Sequence, residues 1–222
     1  MTFLKKISLC LAVLSLPALS GCMMNFIEGS GVSATETRTL TDFDSISLAG
    51  SGDVSVVKGD EFKVVVEADD NLMQYVKTEV NGRDLGLAME SSFKNPIRTK
   101  TTVRYTVTCP ELKSVSVAGS GDINAEDFET DEFSIAIAGS GDVKLTGSAN
   151  KLDISIAGSG DCKLQDFVVK NAEISVAGSG TARIRAEETL DVSIAGSGDV
   201  YYYGKPKVSQ SIMGSGNITP AE

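Results

Sequence analysis

Histidine and tryptophan are both absent from the 222 residues, proline occurs five times and aromatic side chains make up 6% of the chain. Without histidine there is no imidazole to ligate a metal or to act as the base of a Ser-His-Asp arrangement. Scarce aromatics leave a core of small aliphatic side chains. Cysteine is sparse as well, with four residues, Cys10, Cys22, Cys109 and Cys162. Basic residues are outnumbered by acidic ones, 20 to 30, for a formal charge of −10. That balance repels nucleic acid and anionic lipid surfaces, so no nucleic-acid partner is expected.

What the chain has in quantity is glycine, 22 residues of it. Much of it sits in one nonapeptide that recurs: SISLAGSGDV, VSVAGSGDI, IAIAGSGDV, ISIAGSGDC, ISVAGSGTA, VSIAGSGDV and QSIMGSGNI. The first glycine of each GSG falls at Gly50, Gly119, Gly139, Gly158, Gly178, Gly196 and Gly214, and the last five intervals are 20, 19, 20, 18 and 18 residues. A steady period near 19 is the mark of a solenoid in which each repeat is one coil. The first interval, 69 residues long, contains something else.

Lys5 and Lys6 precede the apolar run ISLCLAVLSLPALSG, too short and too early for an ordinary membrane span, so residues 1–21 read as a secretory signal. Its end, Leu19-Ser20-Gly21-Cys22, resembles the lipobox of bacterial lipoproteins. That resemblance implies cleavage before Cys22, acylation of Cys22 and attachment to a membrane through the lipid. Met23, where an aspartate would imply retention in the inner membrane, favours the outer membrane. Removal of residues 1–21 takes two lysines and no acids, leaving a formal charge of −12. A tether is expected over residues 22–37 and the folded domain over 38–222, with 53–118 less regular and 119–219 in regular coils.

Inside each coil apolar and small polar residues alternate. In LDISIAGSGDCKL, Leu152, Ile154 and Ile156 take one face, and Asp153, Ser155 and Ala157 the other. After GSG the alternation resumes, with Val143 and Leu145, Cys162 and Leu164, or Ala182 and Ile184 inward. Two strands per coil meeting at a glycine corner describe an all-β parallel β-helix. Glycine suits a corner that needs positive φ or close backbone approach in every layer. The serine between the glycines is expected to satisfy corner groups or to ladder with its neighbours.

Stacking would bring Asp122, Asp142 and Asp161 roughly 5 Å apart, where each like-charge pair costs on the order of 1 kcal/mol in water. Two readings offset this. Calcium would use the column as a metal ladder, although the motif lacks the GGxGxDx pattern and nine-residue period of calcium-binding solenoids. Alternatively Lys144, Lys163 and Arg183, in the next outward slot, balance the charge. Thr181 and Asn217 replace aspartate in two coils, which favours charge balance. Cofactors are expected to be none. Cys109 and Cys162 read as two buried thiols, with a disulfide as the alternative in an oxidising compartment.

Before the corner, the outward columns read Ser47, Ser116, Ala136, Ser155, Ser175, Ser193, Ser211 and Ala49, Ala118, Ala138, Ala157, Ala177, Ala195, Met213. A flat face with so little charge is either covered by the irregular segment or open to a partner, a glycan, another protein or a second copy of the chain. Tyr201, Tyr202 and Tyr203 form a second candidate surface, with at least one ring inward by alternation. Ser155, Ser175, Ser193, Tyr201 and Tyr203 are therefore the candidate binding residues.

Within the 69-residue interval, DVSVVKG and EFKVVVEA read as strands, DDNLMQYV as a short helix, KTEVNGRDLGLAM as a hairpin turning at Asn81-Gly82, and TTVRYTVTCPELKSVSVAG as a return to strand. This order, EGSGVSATETRTLTDFDSISLAGSGDV, then VVVEADDNLMQYVKTEV, the serial AGSGD coils and GSGDVYYYGKPKVSQSIMGSGNI, resembles the bacterial auto-transporter adhesin head, or head GIN domain, over residues 28–219. The resemblance implies a right-handed parallel β-helix on a secreted or lipid-anchored protein, and carries over no catalytic or binding residue. No segment reads as a translocator barrel, so export to the surface would use other machinery. Three function classes follow: a non-catalytic binding or adhesion module, a self-associating scaffold, or a polysaccharide-acting enzyme. The last is set aside because no carboxylate pair or metal constellation stands apart from the repeat.

Overall fold

The computed structural model of the protein describes residues 26–91 and 96–221, so Cys22 and the signal segment lie outside it. From the N-terminus come β1 (Ile27–Glu28), β2 (Ser33–Arg38), β3 (Ser45–Gly50), β4 (Asp53–Lys58), β5 (Lys63–Asp69), a 3-10 helix (Asp70–Tyr75), β6 (Val76–Asn81), β7 (Asp84–Met89), β8 (Ile97–Arg98) and β9 (Arg104–Cys109). The coils continue as β10 (Ser114–Gly119), β11 (Asp122–Gly139), β12 (Val143–Gly158), β13 (Asp161–Gly178), β14 (Thr181–Gly196), β15 (Asp199–Tyr203), β16 (Lys207–Gly214) and β17 (Asn217–Pro220).

The alternation of apolar residues becomes a core because every coil repeats it in the same register. Ile135 stands over Ile154, Ile154 over Ile174 and Ile174 over Val192, all of them buried. Parallel pairing carries this through β10 to β14, giving a β-solenoid of about five turns. Parallel strands that are apolar toward a common interior need no separate helix layer to cover them, because the chain wraps the core itself.

The expectation of two strands per coil needs one correction. Between the two main faces runs a third, short side, where Phe128–Thr130, Gly147–Ala149 and Phe167–Val169 stack on one another. Register shifts in the coil ladders fall just before or within this side, between Ala125 and Phe128, Lys144 and Gly147, and Leu164 and Val168. The bulges absorb the difference between 18-residue and 20-residue coils and leave the glycine corners aligned.

The irregular interval does not lie across the solenoid. β3 and β4 form a regular coil beneath β10 and β11, so Asp53–Lys58 belongs to the stack and not to the irregular part. The chain then doubles back: β7 pairs with the outer side of β3 and β9 with the outer side of β4. Antiparallel β6 closes one face, and antiparallel β5 and then β2 close the other. Residues 27–37, expected as tether, thus supply β1 and β2 of this N-terminal cap. The hairpin turn is one residue later than expected: Asn81 pairs with Asp84, so Gly82 (φ 66°) and Arg83 form the loop.

Two carboxylates hold the cap together. Fully buried Asp69 accepts the backbone N–H groups of Gly31 (2.8 Å), Lys100 (2.9 Å) and Thr101 (3.2 Å). Asp44, 6% exposed, bonds Arg83 at 2.8 Å and Lys113 at 3.3 Å, clamping the hairpin turn to the segment that re-enters the coils. Burial alone would raise both carboxyls, but the amides around Asp69 and the cations beside Asp44 hold them below the ordinary carboxylate value.

Cys109 and Cys162 are free and buried. They are separated by four strand pairings, β9 to β4 to β11 to β12 to β13, about 19 Å at the spacing of paired strands and far beyond disulfide reach. Burial pushes the Cys109 thiol up to about 12 and that of Cys162 higher still.

Candidate functional site

At each corner the first glycine has positive φ, from 106° at Gly50 to 140° at Gly119. From Gly119 onward a Cβ there would also run into the carbonyl oxygen of the corner glycine one coil before. The second glycine needs only the close approach: a Cβ on Gly160 would meet the Gly141 carbonyl and the Ile137 side chain. The corner serine acts through its backbone. Ser140, Ser159, Ser179 and Ser197 N–H groups each donate at 2.8 Å to the glycine carbonyl one coil earlier, while their side chains are exposed.

The aspartates that follow are also backbone partners. Asp122 Oδ1 accepts the Asp142 N–H (2.9 Å), Asp142 Oδ1 accepts that of Asp161 (3.1 Å), and Asp161 Oδ1 accepts that of Thr181 (3.0 Å). Asp199 does the same for Asn217 at 3.0 Å. Each carboxylate thus satisfies an amide just past the tight corner and becomes more tolerant of its like-charged neighbour. Charge balance is partial: Lys163 Nζ lies 2.7 Å from Asp142 Oδ2, and that carboxylate raises the lysine's pKa. Among the described residues no group of three or more His, Cys, Asp or Glu is gathered in metal-binding geometry.

The Ser/Ala face lies on the opposite side of the corner from the aspartate column. Ser155, Ser175 and Ser193 are exposed and stacked in register, as are Ala157, Ala177 and Ala195 beside them. At the cap end the serine column is tied down, Ser116 Oγ donating to Ser47 Oγ and Ser47 Oγ to Asp84. Beyond Ala136 it is free of the cap. Along its other edge runs a column of Asp153, Glu173 and Asp191, also in register. Shallow depressions of about 260 and 160 Å³ lie over these columns, bordered by Ser155, Glu173 and Ser175 and by Ser193, Asp191 and Ser211.

Tyr201 and Tyr203 are on the aspartate side, so the two sets of candidate residues do not form one surface. β15 stacks on β14, placing Tyr201 opposite Arg183 and Tyr203 opposite Arg185. The guanidinium carbons sit 5.1 and 5.6 Å from the ring centroids. Tyr202 turns inward and packs against the core, as alternation requires. Sequence reasoning assigned Arg183 to the aspartates; its stacking on Tyr201 depends on coil register, which only the alignment of Arg183 one coil before Tyr201 hinted at.

Similar folds are known. A crystal structure described as a putative adhesin from Bacteroides fragilis is 24% identical, with a TM-score of 0.72, over 88% of this chain and 100% of that one. One described as a putative lipid binding protein from Parabacteroides distasonis is 28% identical, with a TM-score of 0.54, over 89% of this chain and 100% of that one. A putative adhesin from Parabacteroides merdae is 20% identical, with a TM-score of 0.56, over 89% and 99%. No curated protein matches the chain. The family model described as "Putative auto-transporter adhesin, head GIN domain" matches residues 42–206, spanning the first coil, the cap hairpin and every corner aspartate, and the chain belongs to that family.

Proposed function

We propose that the protein is a non-catalytic binding module of the cell envelope, held at the outer membrane by lipid on Cys22, and that the Ser/Ala face is its platform. The observation that carries this is the exposure of Ser155, Ser175 and Ser193 with their alanine neighbours through successive coils, while the irregular segment stacks at one end. Small side chains let a flat ligand approach the sheet closely, and repetition offers the same contact in every coil. The descriptions of the similar structures, adhesin and lipid binding, support a binding role. A non-catalytic role is supported by the corner carboxylates, each of which commits one oxygen to the backbone amide of the next coil. Self-association through this face is the weaker reading, because the Asp153, Glu173 and Asp191 column would bring like charge to a second copy.

The test is protease access to the coils on intact and lysed cells, paired with adhesion by a Ser155→Glu/Ser175→Glu/Ser193→Glu variant. Cleavage on intact cells and loss of adhesion by the variant are expected. Protection until lysis, with normal behaviour of the variant, would overturn the platform.

A further inference from the structure

We propose that Arg183, Arg185, Tyr201 and Tyr203 form a second, separate site that takes the carboxylates of an acidic polysaccharide. The inference deepens the binding-module reading and rests on it.

Along the outward column beside the aspartates, successive coils carry Lys144, Lys163, Arg183 and Tyr201. Lys163 is tied to Asp142. In the next coil Thr181 replaces the aspartate, and neither Arg183 nor Arg185 makes an ion pair among the described residues. Each instead lies over a tyrosine ring, and Arg185 Nε is held by the Gln165 carbonyl at 3.1 Å. Beside the rings the terminal Nη groups of both guanidinium groups have no acceptor among the described residues, Arg185 using only its Nε, and those groups form a planar fork that matches a carboxylate bidentately.

The corner acids of the two flanking coils pair with neither arginine among the described residues; Asp161 Oδ1 accepts the Thr181 N–H and Asp199 Oδ1 accepts that of Asn217. Two forks two residues apart on a strand are roughly 7 Å from each other, and the tyrosine rings beside them offer hydroxyls to sugar hydroxyls. On a chain of net charge −10 this paired cationic strip is the complement of a polyanion, and its extended form suits a linear one. A membrane surface is disfavoured by place. The strip is at the far end of the stack from β2, eight strand pairings or roughly 40 Å away, and β2 belongs to the end nearer in sequence to the proposed anchor.

The experiment is titration of the purified full chain with polygalacturonate, with dextran as the neutral polymer and phosphatidylglycerol vesicles as the phosphate source. Binding to polygalacturonate alone is expected, weakening as salt rises. Arg183→Gln/Arg185→Gln should lose on the order of ten-fold in affinity. Arg183→Lys/Arg185→Lys, which keeps the charge without the fork, should lose less and keep the parental melting temperature. No binding to polygalacturonate, equal binding to dextran, preference for the vesicles, or unchanged affinity in both variants would overturn the proposal. None of these results bears on the Ser/Ala face, so the two readings fail separately.

Discussion

Gly158 and Gly50 occupy the same place in their coils and both have positive φ, yet they differ in what lies beneath. A Cβ on Gly158 would strike the Gly139 carbonyl, whereas one on Gly50 meets nothing within 4 Å. Gly158→Ala should therefore cost roughly 3 kcal/mol and Gly50→Ala about 1 kcal/mol, the difference being the stacking contact. Urea midpoints of the two variants check this; equal losses would mean that backbone conformation alone selects glycine. Asp142 invites a similar comparison, since its Oδ1 accepts an amide and its Oδ2 a lysine. Asp142→Ala should lose about 1–2 kcal/mol and Asp142→Asn less, and thermal melts with calcium and with chelator should coincide. A calcium-dependent rise in melting temperature would restore the ion-ladder reading.

At the scale of elements, the cap and the coils are held by different chemistry, and acid should separate them. Asp69 and Asp44 have carboxyls below the ordinary value. Their stabilisation is complete above about pH 4 and fades as pH falls through the lowered folded values. The coils rely mainly on apolar stacking. Pepsin added at successively lower pH should thus cut β5 to β9 before β11 to β14, and Asp69→Asn should cut earlier still; simultaneous cleavage would contradict the division. The same division separates what was legible in sequence from what was not. The inward columns, the corners and the exposed Ser155, Ser175 and Ser193 follow from a two-residue alternation and a 19-residue period, both local signals. The place of β7 and β9 outside β3 and β4 has no such signal, because it is decided by pairings between distant segments. Likewise the third side of the coil is masked by bulges that break the alternation at Asp127, a non-glycine residue with φ of 61°.

For the whole molecule, the two ends of the stack are unlike. β2 and β6 close one end with antiparallel strands and the Leu72 turn buried beneath them. The other ends on β16 and β17, where Met213 is 79% exposed and Gln210 takes the inward slot held by Val192 in the coil before. In a stack whose coils touch only their neighbours, stability falls toward an uncovered end. Amide exchange should be fastest in β16 and β17, slower in β14 and slowest in β11 and β12. Uniform protection would indicate that this end is covered in solution.

The doubling back of the chain around its first coil has a consequence for the order of assembly. β3 and β4 are made early, but their partners on both sides, β7 and β9 below and β10 and β11 above, come later in the chain. The first coil can be completed only after a long loop has closed, which is the slow, entropically costly event. Every later coil is laid on a finished template about 19 residues after the last. A chain emerging N-terminus first would therefore wait through its first hundred residues as a nucleus and then grow like a filament, one coil at a time.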